Sequence, residues 1–375
     1  FAGLELSSPI IAASAPPTES VAGMLACARA GAGAVITKSV VDYDRADWPN
    51  LPRRVLRERQ KLWIQGSFAS ETLTLAEGEE MIAATRAASD TPIIASVGVL
   101  DPAIDAPIET ALRLAAAGAS LIHFDLFYLP QPRCTDAMRT ALTGLFARAR
   151  ATLPVKFGPK FNTDMPAHWL AGWLTPHSTD CTFLLDSVRV PPPLKRDGTP
   201  AIEAWRGGLE CSLFGDGWQK PISLHYTRVL ADAALPDICA GGGLRNADDI
   251  MEAIMLRATA VQVATPIILH GYEWITRTNE QIERWLDESR VADVAAVRGL
   301  ALRVRDGDAP EHVTPLRASV DAERCKPCGV CTTLAFCPFI AAEPNGVPSI
   351  DSACYGCGLC EQLCPHDGAI RMAPA

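Results

Sequence analysis

The chain has 375 residues, of which 48% are hydrophobic, and a formal net charge of -9. That is enough apolar material for one large core with a small appended domain. The acidic balance argues against a nucleic-acid partner, and no apolar run reaches the ~18 residues that a membrane span requires.

Up to about Ala309, short apolar runs alternate with helical patterns. Strands are expected at Pro9–Ala13, Ala34–Thr37, Ile93–Val97, Leu121–Asp125, Val155–Phe157, Thr182–Leu185, Asp237–Ala240 and Ala260–Val263. The runs are fully apolar rather than alternating, as parallel strands covered on both faces should be. Helical spacing is found at Glu19–Ala30, Leu75–Ser89, Ile108–Ala117, Thr135–Ala151 and Asn246–Leu256. Strands alternating with crossover helices in this way fit an α/β TIM barrel. A doubly wound sheet needs a dinucleotide fingerprint after a strand, and the Gly31-Ala32-Gly33 stretch precedes one instead.

In such a barrel the chemistry gathers at the C-terminal strand ends. Those ends carry Ala13-Ser14, Lys38-Ser39, Asp125, Lys156, Asp186-Ser187, Gly241-Gly242-Gly243 and Ala264-Thr265. Bare amides after the last two strands suit a phosphate group. The segment from Val188 to Gly217, rich in Pro and Gly, is too long for an ordinary connection and reads as a lid or part of the site. Tyr272 to Val304 reads as an amphipathic helix packing through Trp274, Ile282, Trp285 and Leu286. Asp306 to Pro310 then reads as a linker, dividing a barrel of residues 1–309 from a tail of residues 310–375.

The tail repeats one pattern twice. Cys325, Cys328, Cys331 and Cys337-Pro338 are followed by Cys354, Cys357, Cys360 and Cys364-Pro365. Three thiolates spaced by two residues can meet three corners of a 4Fe-4S cubane, and the fourth ligand comes from the other half of the repeat. This assigns Cys325, Cys328, Cys331 and Cys364 to one cluster, and Cys354, Cys357, Cys360 and Cys337 to the other, in a bacterial-type ferredoxin domain. Zinc ribbons use paired knuckles rather than triplets followed by Cys-Pro, and disulfides suit exported chains. The clusters, with no signal-like segment, lead us to expect a cytoplasmic protein. Cys27, Cys134, Cys181, Cys211 and Cys239 are scattered and read as small buried hydrophobes.

These motifs, in this order, resemble the FMN barrel of the dihydroorotate dehydrogenase superfamily. They are most similar to the pyrimidine-site portion of dihydropyrimidine dehydrogenase, where two 4Fe-4S clusters follow the barrel. The resemblance implies FMN held by Ala13, Lys38, Ser39, Lys156, Gly242, Gly243, Leu244, Ala264 and Thr265. Ser187 and the glycines Gly208, Gly215 and Gly217 of the long segment join them.

The segment after the fourth strand departs from the family. Asn-Leu-Ser-Cys-Pro, whose Asn binds substrate and whose Cys moves the proton, is replaced by Asp125-Leu126-Phe127-Tyr128-Leu129-Pro130. An Asn-Thr pair becomes Asp186-Ser187, and the Asn near the end of strand three is missing. Either the loop is misaligned and Cys134 supplies the thiol, or the substrate differs. An ionised carboxylate only accepts hydrogen bonds, so Asp125 and Asp186 favour a donor-rich or cationic ring over uracil or orotate. Tyr128 then replaces Cys as proton donor, and His123 lies two residues before Asp125 on the same strand face.

The expected activity is reduction, or reversible oxidation, of a C=C bond in a small polar, nitrogen-containing ring, with electrons relayed through the clusters to FMN. The electron partner would be an NAD(P)H-oxidising flavoprotein subunit or a ferredoxin, and a homodimer is consistent with the resemblance. An electron-transfer subunit without substrate chemistry, or a true dihydropyrimidine or dihydroorotate dehydrogenase using Cys134, are the alternatives.

Overall fold

The computed structural model describes residues 1–41, 54–58, 61–65, 72–129, 134–175, 177–185, 187–202, 211–215, 217–303, 314–333 and 337–375. The chain divides into two compact units, Phe1–Arg305 and Asp306–Ala375. The expected linker and boundary at 306–310 lie outside the described residues, as do Asp186, Gly208 and Pro130.

The first unit is a TIM barrel. Its strands are β1 (Ile10–Ala12), β2 (Ala34–Ile36), β5 (Ile93–Gly98), β6 (Leu121–Asp125), β7 (Lys156–Lys160), β8 (Thr182–Phe183), β11 (Ile238–Gly241) and β12 (Ala260–Val263). They close parallel in the order β1-β12-β11-β8-β7-β6-β5-β2. Two apolar layers hold this ring. Outside it, Val35, Val97, Phe124 and Val261 pack with helix residues such as Met24, Ile82 and Leu114. Inside it, Ile11, Ile36, Ile94, Leu121 and Phe183 meet, and Phe1, Leu4 and Leu6 close them from below. Burial on both sides is why these strands read as unbroken apolar runs.

Within Val188 to Gly217 the described residues form two strands. β9 (Val188–Val190) and β10 (Cys211–Phe214) pair antiparallel, Cys211 opposite Val190. With β3 (Arg54–Glu58) and β4 (Lys61–Gln65) they make a four-stranded sheet in the order β3-β4-β10-β9. The single helix expected from Tyr272 to Val304 ends at Ser289, because Arg290 turns left-handed with φ 55. Trp274 and Ile282 are buried as expected.

The second unit carries two short antiparallel pairs, β13 (Leu316–Val320) with β16 (Ile370–Pro374), and β14 (Ile340–Ala341) with β15 (Ser349–Ile350). Its core consists of Ala318, Cys331, Ile340, Cys360 and Ile370.

Candidate functional site

A cleft of about 460 Å³, counting solvent at its mouth, opens at the C-terminal ends of β1, β8, β11 and β12. Ala13, Ser187, Gly215, Gly242, Gly243, Leu244, Ala264 and Thr265 all line it. Gly242 and Gly243 have φ of 89 and 80, a region side-chain-bearing residues rarely adopt. A Cβ on Gly242 would stand 2.5 Å from the Gln219 amide nitrogen, and one on Gly243 would collide with the Lys220 backbone. Side chains are thus excluded, leaving bare backbone along this wall. Lys220 is committed elsewhere, to Asp249 at 2.6 Å and Glu252 at 2.9 Å.

Lys156 is not in the cleft. It begins β7, opposite Leu121, and its ammonium lies beside Gly3 at the other end of the barrel. The lysine that lines the cleft is Lys160, 3% exposed and opposite Asp125. The expected strand stopped at Phe157, whereas β7 continues through Gly158 and Pro159 and carries a second lysine to the rim. Gln262 also lines the cleft. Its Nε2 donates to the Leu184 carbonyl at 3.0 Å, while its buried Oε1 has no hydrogen-bond partner among the described residues. An orphaned acceptor of this kind costs about 1–3 kcal/mol unless a ligand N–H meets it.

Lys38 and Ser39 are buried at the β2 end but do not line the cleft. Ser39 reaches it indirectly, since its hydroxyl is 3.4 Å from that of Ser14, a lining residue. Gly217 (φ 68) faces the Arg245 guanidinium instead.

A buried chain of hydroxyls runs beneath the rim. Ser39 and Ser96 are 2.9 Å apart, and Ser96 is 2.9 Å from His123 Nδ1. His123 is fully buried, with its ring edge-on to Phe183 at 4.6 Å. Burial first, and then the Lys160 charge, hold its pKa well below the usual imidazole range. Asp125 accepts from Ser39 at 3.0 Å and from the Phe127 amide at 3.1 Å. One carboxylate oxygen thereby caps the 3-10 turn Leu126–Tyr128, and the other ties it to the end of β2. Tyr128 is half-buried on that turn, packed over Gly98 at the end of β5. Neither Asp125 nor Tyr128 is among the residues lining the cleft.

Four of the scattered cysteines are buried, Cys27 with its thiol pushed up to about 12 by burial. Cys134 is the exception. It is exposed, its sulfur is 3.6 Å from the Asp164 carbonyl, and it does not line the cleft. Burial raises its pKa; Arg139 opposes the shift and Asp164 adds to it.

In the second unit the eight tail cysteines fall into two cavities. One, of about 360 Å³, is lined by Cys325, Cys328, Cys331 and Cys364, and the other, of about 690 Å³, by Cys337, Cys354, Cys357 and Cys360. Each quartet draws its fourth cysteine from the opposite half of the repeat. Among the described residues, no three His, Cys, Asp or Glu side chains converge as a single metal ion requires. A cubane spreads its thiolates over four corners of a larger body, so the two observations concern different ligand sets.

No family model matches the chain. It is 23% identical over 310 residues to the dihydroorotate dehydrogenase B (NAD(+)) catalytic subunit of Thermoplasma volcanium, covering 81% of this chain and 97% of that protein. The Thermoplasma acidophilum subunit of the same name gives 23% over 309 residues, covering 80% and 97%. The chain is thus similar over most of its length to dihydroorotate dehydrogenase B catalytic subunits. A third such subunit, from Thermococcus kodakarensis, is 32% identical over 83 residues, 22% of this chain and 28% of that protein. Within the barrel, sequence reasoning missed Lys160, Gln219 and Gln262. Only Lys160 gave a signal, as a second lysine four residues after the first.

Proposed function

We propose that the chain is an FMN-dependent oxidoreductase acting on the CH–CH bond of a small, polar, nitrogen-containing ring, with two 4Fe-4S clusters in its tail. The observation that carries this reading is the cleft itself. It combines a side-chain-free glycine wall, a buried lysine and an unpartnered glutamine oxygen at the C-terminal face of a barrel related to dihydroorotate dehydrogenases. Those groups fit FMN: amides and Thr265 for a phosphate, Gln262 Oε1 for a ring N–H, and Lys160 for the negative charge of a reduced ring.

When bound, FMN supplies reversible two-electron transfer with a substrate carbon. The protein's part is to place and protonate. Lys160 holds positive charge in a site sheltered from water, where it acts more strongly than in bulk solvent. Tyr128 donates the proton for the neighbouring carbon, since a phenol titrating near 10 suits an acid better than a base. Asp125, with both oxygens engaged, positions the turn carrying Tyr128. Ring specificity is tested first with dihydroorotate, the compound in the relatives' name.

The paired quartets support the cluster reading, with electrons passing between the clusters and FMN. The relatives are named as catalytic subunits of NAD(+) enzymes, so the electron partner is a separate NAD(P)-linked flavoprotein subunit or a ferredoxin. Cofactor content tests the whole reading. Anaerobically purified protein should release FMN on acid denaturation and contain the iron and sulfide of two 4Fe-4S clusters. A colourless protein that binds no added FMN would sink it.

A further inference from the structure

The two halves of the tail are related by sequence, so the residues beside each quartet can be compared position by position. Lys326, one residue after the first Cys of its triplet, corresponds to Tyr355 in the second. His366, two residues after Cys364, corresponds to Phe339, two after Cys337. The cavities receive these residues as whole pairs. Lys326 and His366 line the cavity of Cys325, Cys328, Cys331 and Cys364, whereas Tyr355 and Phe339 line the other. Tyr355 and Phe339 also pack on each other edge-to-face, with centroids 4.4 Å apart. Ile340, Ile350 and Met372 complete an apolar wall on that side.

We infer that the two clusters are electrostatically inequivalent, and that the Lys326/His366 quartet is reduced before the Tyr355/Phe339 quartet. The inference rests on the cluster reading above. Adding one electron makes a thiolate-bound cluster more negative. A neighbouring cation favours that state, and an apolar wall disfavours it. Arg371 adds a cation on the first side, reaching Gly368, two residues beyond His366, while Arg324, which reaches it too, is paired with Asp321 at 3.3 Å.

Three features bear against this ordering, the first being the His366 carbonyl oxygen 3.4 Å from the Cys364 sulfur. The Gly356 amide donates to the Cys354 sulfur in the apolar quartet at 3.5 Å, which by itself favours reduction on that side. Arg317 donates to the Ile350 carbonyl at 2.8 Å. It precedes Ala318, which lines the apolar cavity, and strand alternation turns it to the other face. Lys326 is exposed and screened by salt, so its effect should be larger at low ionic strength.

The test is an anaerobic dithionite titration of the full-length chain, followed by the EPR signals of the reduced clusters at low ionic strength. Two reduction steps are expected. Lys326→Met and His366→Phe should each move the first step to lower potential and leave the second in place, and Tyr355→Lys should raise the second. A single step, or two steps indifferent to all three changes at wild-type iron content, would overturn the inference and leave the clusters standing. Protein that cannot be loaded with two clusters would overturn the cluster reading and this inference together.

Discussion

Lys160 and Asp125 are register partners at the C-terminal ends of β7 and β6, whereas Lys156 pairs with Leu121 at the opposite end of the same two strands. Lys160→Met should therefore deplete bound FMN, while Lys156→Met should leave flavin content unchanged. Flavin absorbance per polypeptide after gel filtration reads the difference directly. Equal loss in both variants would place the cofactor elsewhere.

The glycine wall makes a second prediction. Gly243→Ala forces a side chain into a left-handed conformation, at roughly 1–2 kcal/mol, and its Cβ meets the Lys220 backbone. FMN affinity and thermal stability should fall together. Gly198→Ala, whose Cβ meets nothing within 4 Å, is the control. It carries similar backbone strain and should cost stability without affecting FMN.

Proton transfer separates Tyr128 from Cys134. Tyr128→Phe should slow turnover by about 10²–10⁴-fold, the usual worth of a positioned acid, without changing the rate at which the bound flavin is reduced. Cys134→Ala should alter neither quantity, because the thiol is exposed and bonded to the Asp164 carbonyl, whereas Tyr128 stands on the turn directly after β6. The opposite pattern would restore the thiol as the proton carrier.

His123 gives stability a pH signature. Its folded pKa is lowered, so below the ordinary value of 6.5 the unfolded chain takes up a proton that the buried ring resists. Its contribution to stability is complete above that value. It is lost as pH falls, at a limiting slope of about 1.4 kcal/mol per pH unit for one proton. Denaturant melts from pH 8 to 5 on wild type and His123→Gln should diverge below about 6.5. Parallel curves would contradict the burial assignment.

The barrel is legible in the sequence because strands covered on both faces must be apolar throughout; Leu121–Asp125 and Ala260–Val263 come out residue for residue. The β7 end is not legible, since Gly158-Pro159 carries the marks of a strand terminus yet lies inside the strand. The hairpin of β3 and β4 is hidden for a different reason. Arg54 and Lys61 on one face and Arg57 on the other interrupt its apolar pattern, and its pairing with β10 joins residues far apart in the chain. The spacing of the tail cysteines suggests two groups of four, and the same two groups line separate cavities in the second unit. Asp125 shows the limit of residue type. A carboxylate suggests substrate contact, and its type alone does not reveal that it also accepts from Ser39 and from the Phe127 amide.

The most direct measurement is an anaerobic single turnover: the full-length protein is photoreduced and flavin absorbance is followed as orotate, uracil, thymine and a panel of other unsaturated nitrogen-containing rings are offered. Rapid reoxidation by at least one ring, lost in Lys160→Met and slowed in Tyr128→Phe, is the predicted result. Reduced flavin that persists with every ring yet is reoxidised at once by a protein electron acceptor would contradict substrate chemistry in this barrel.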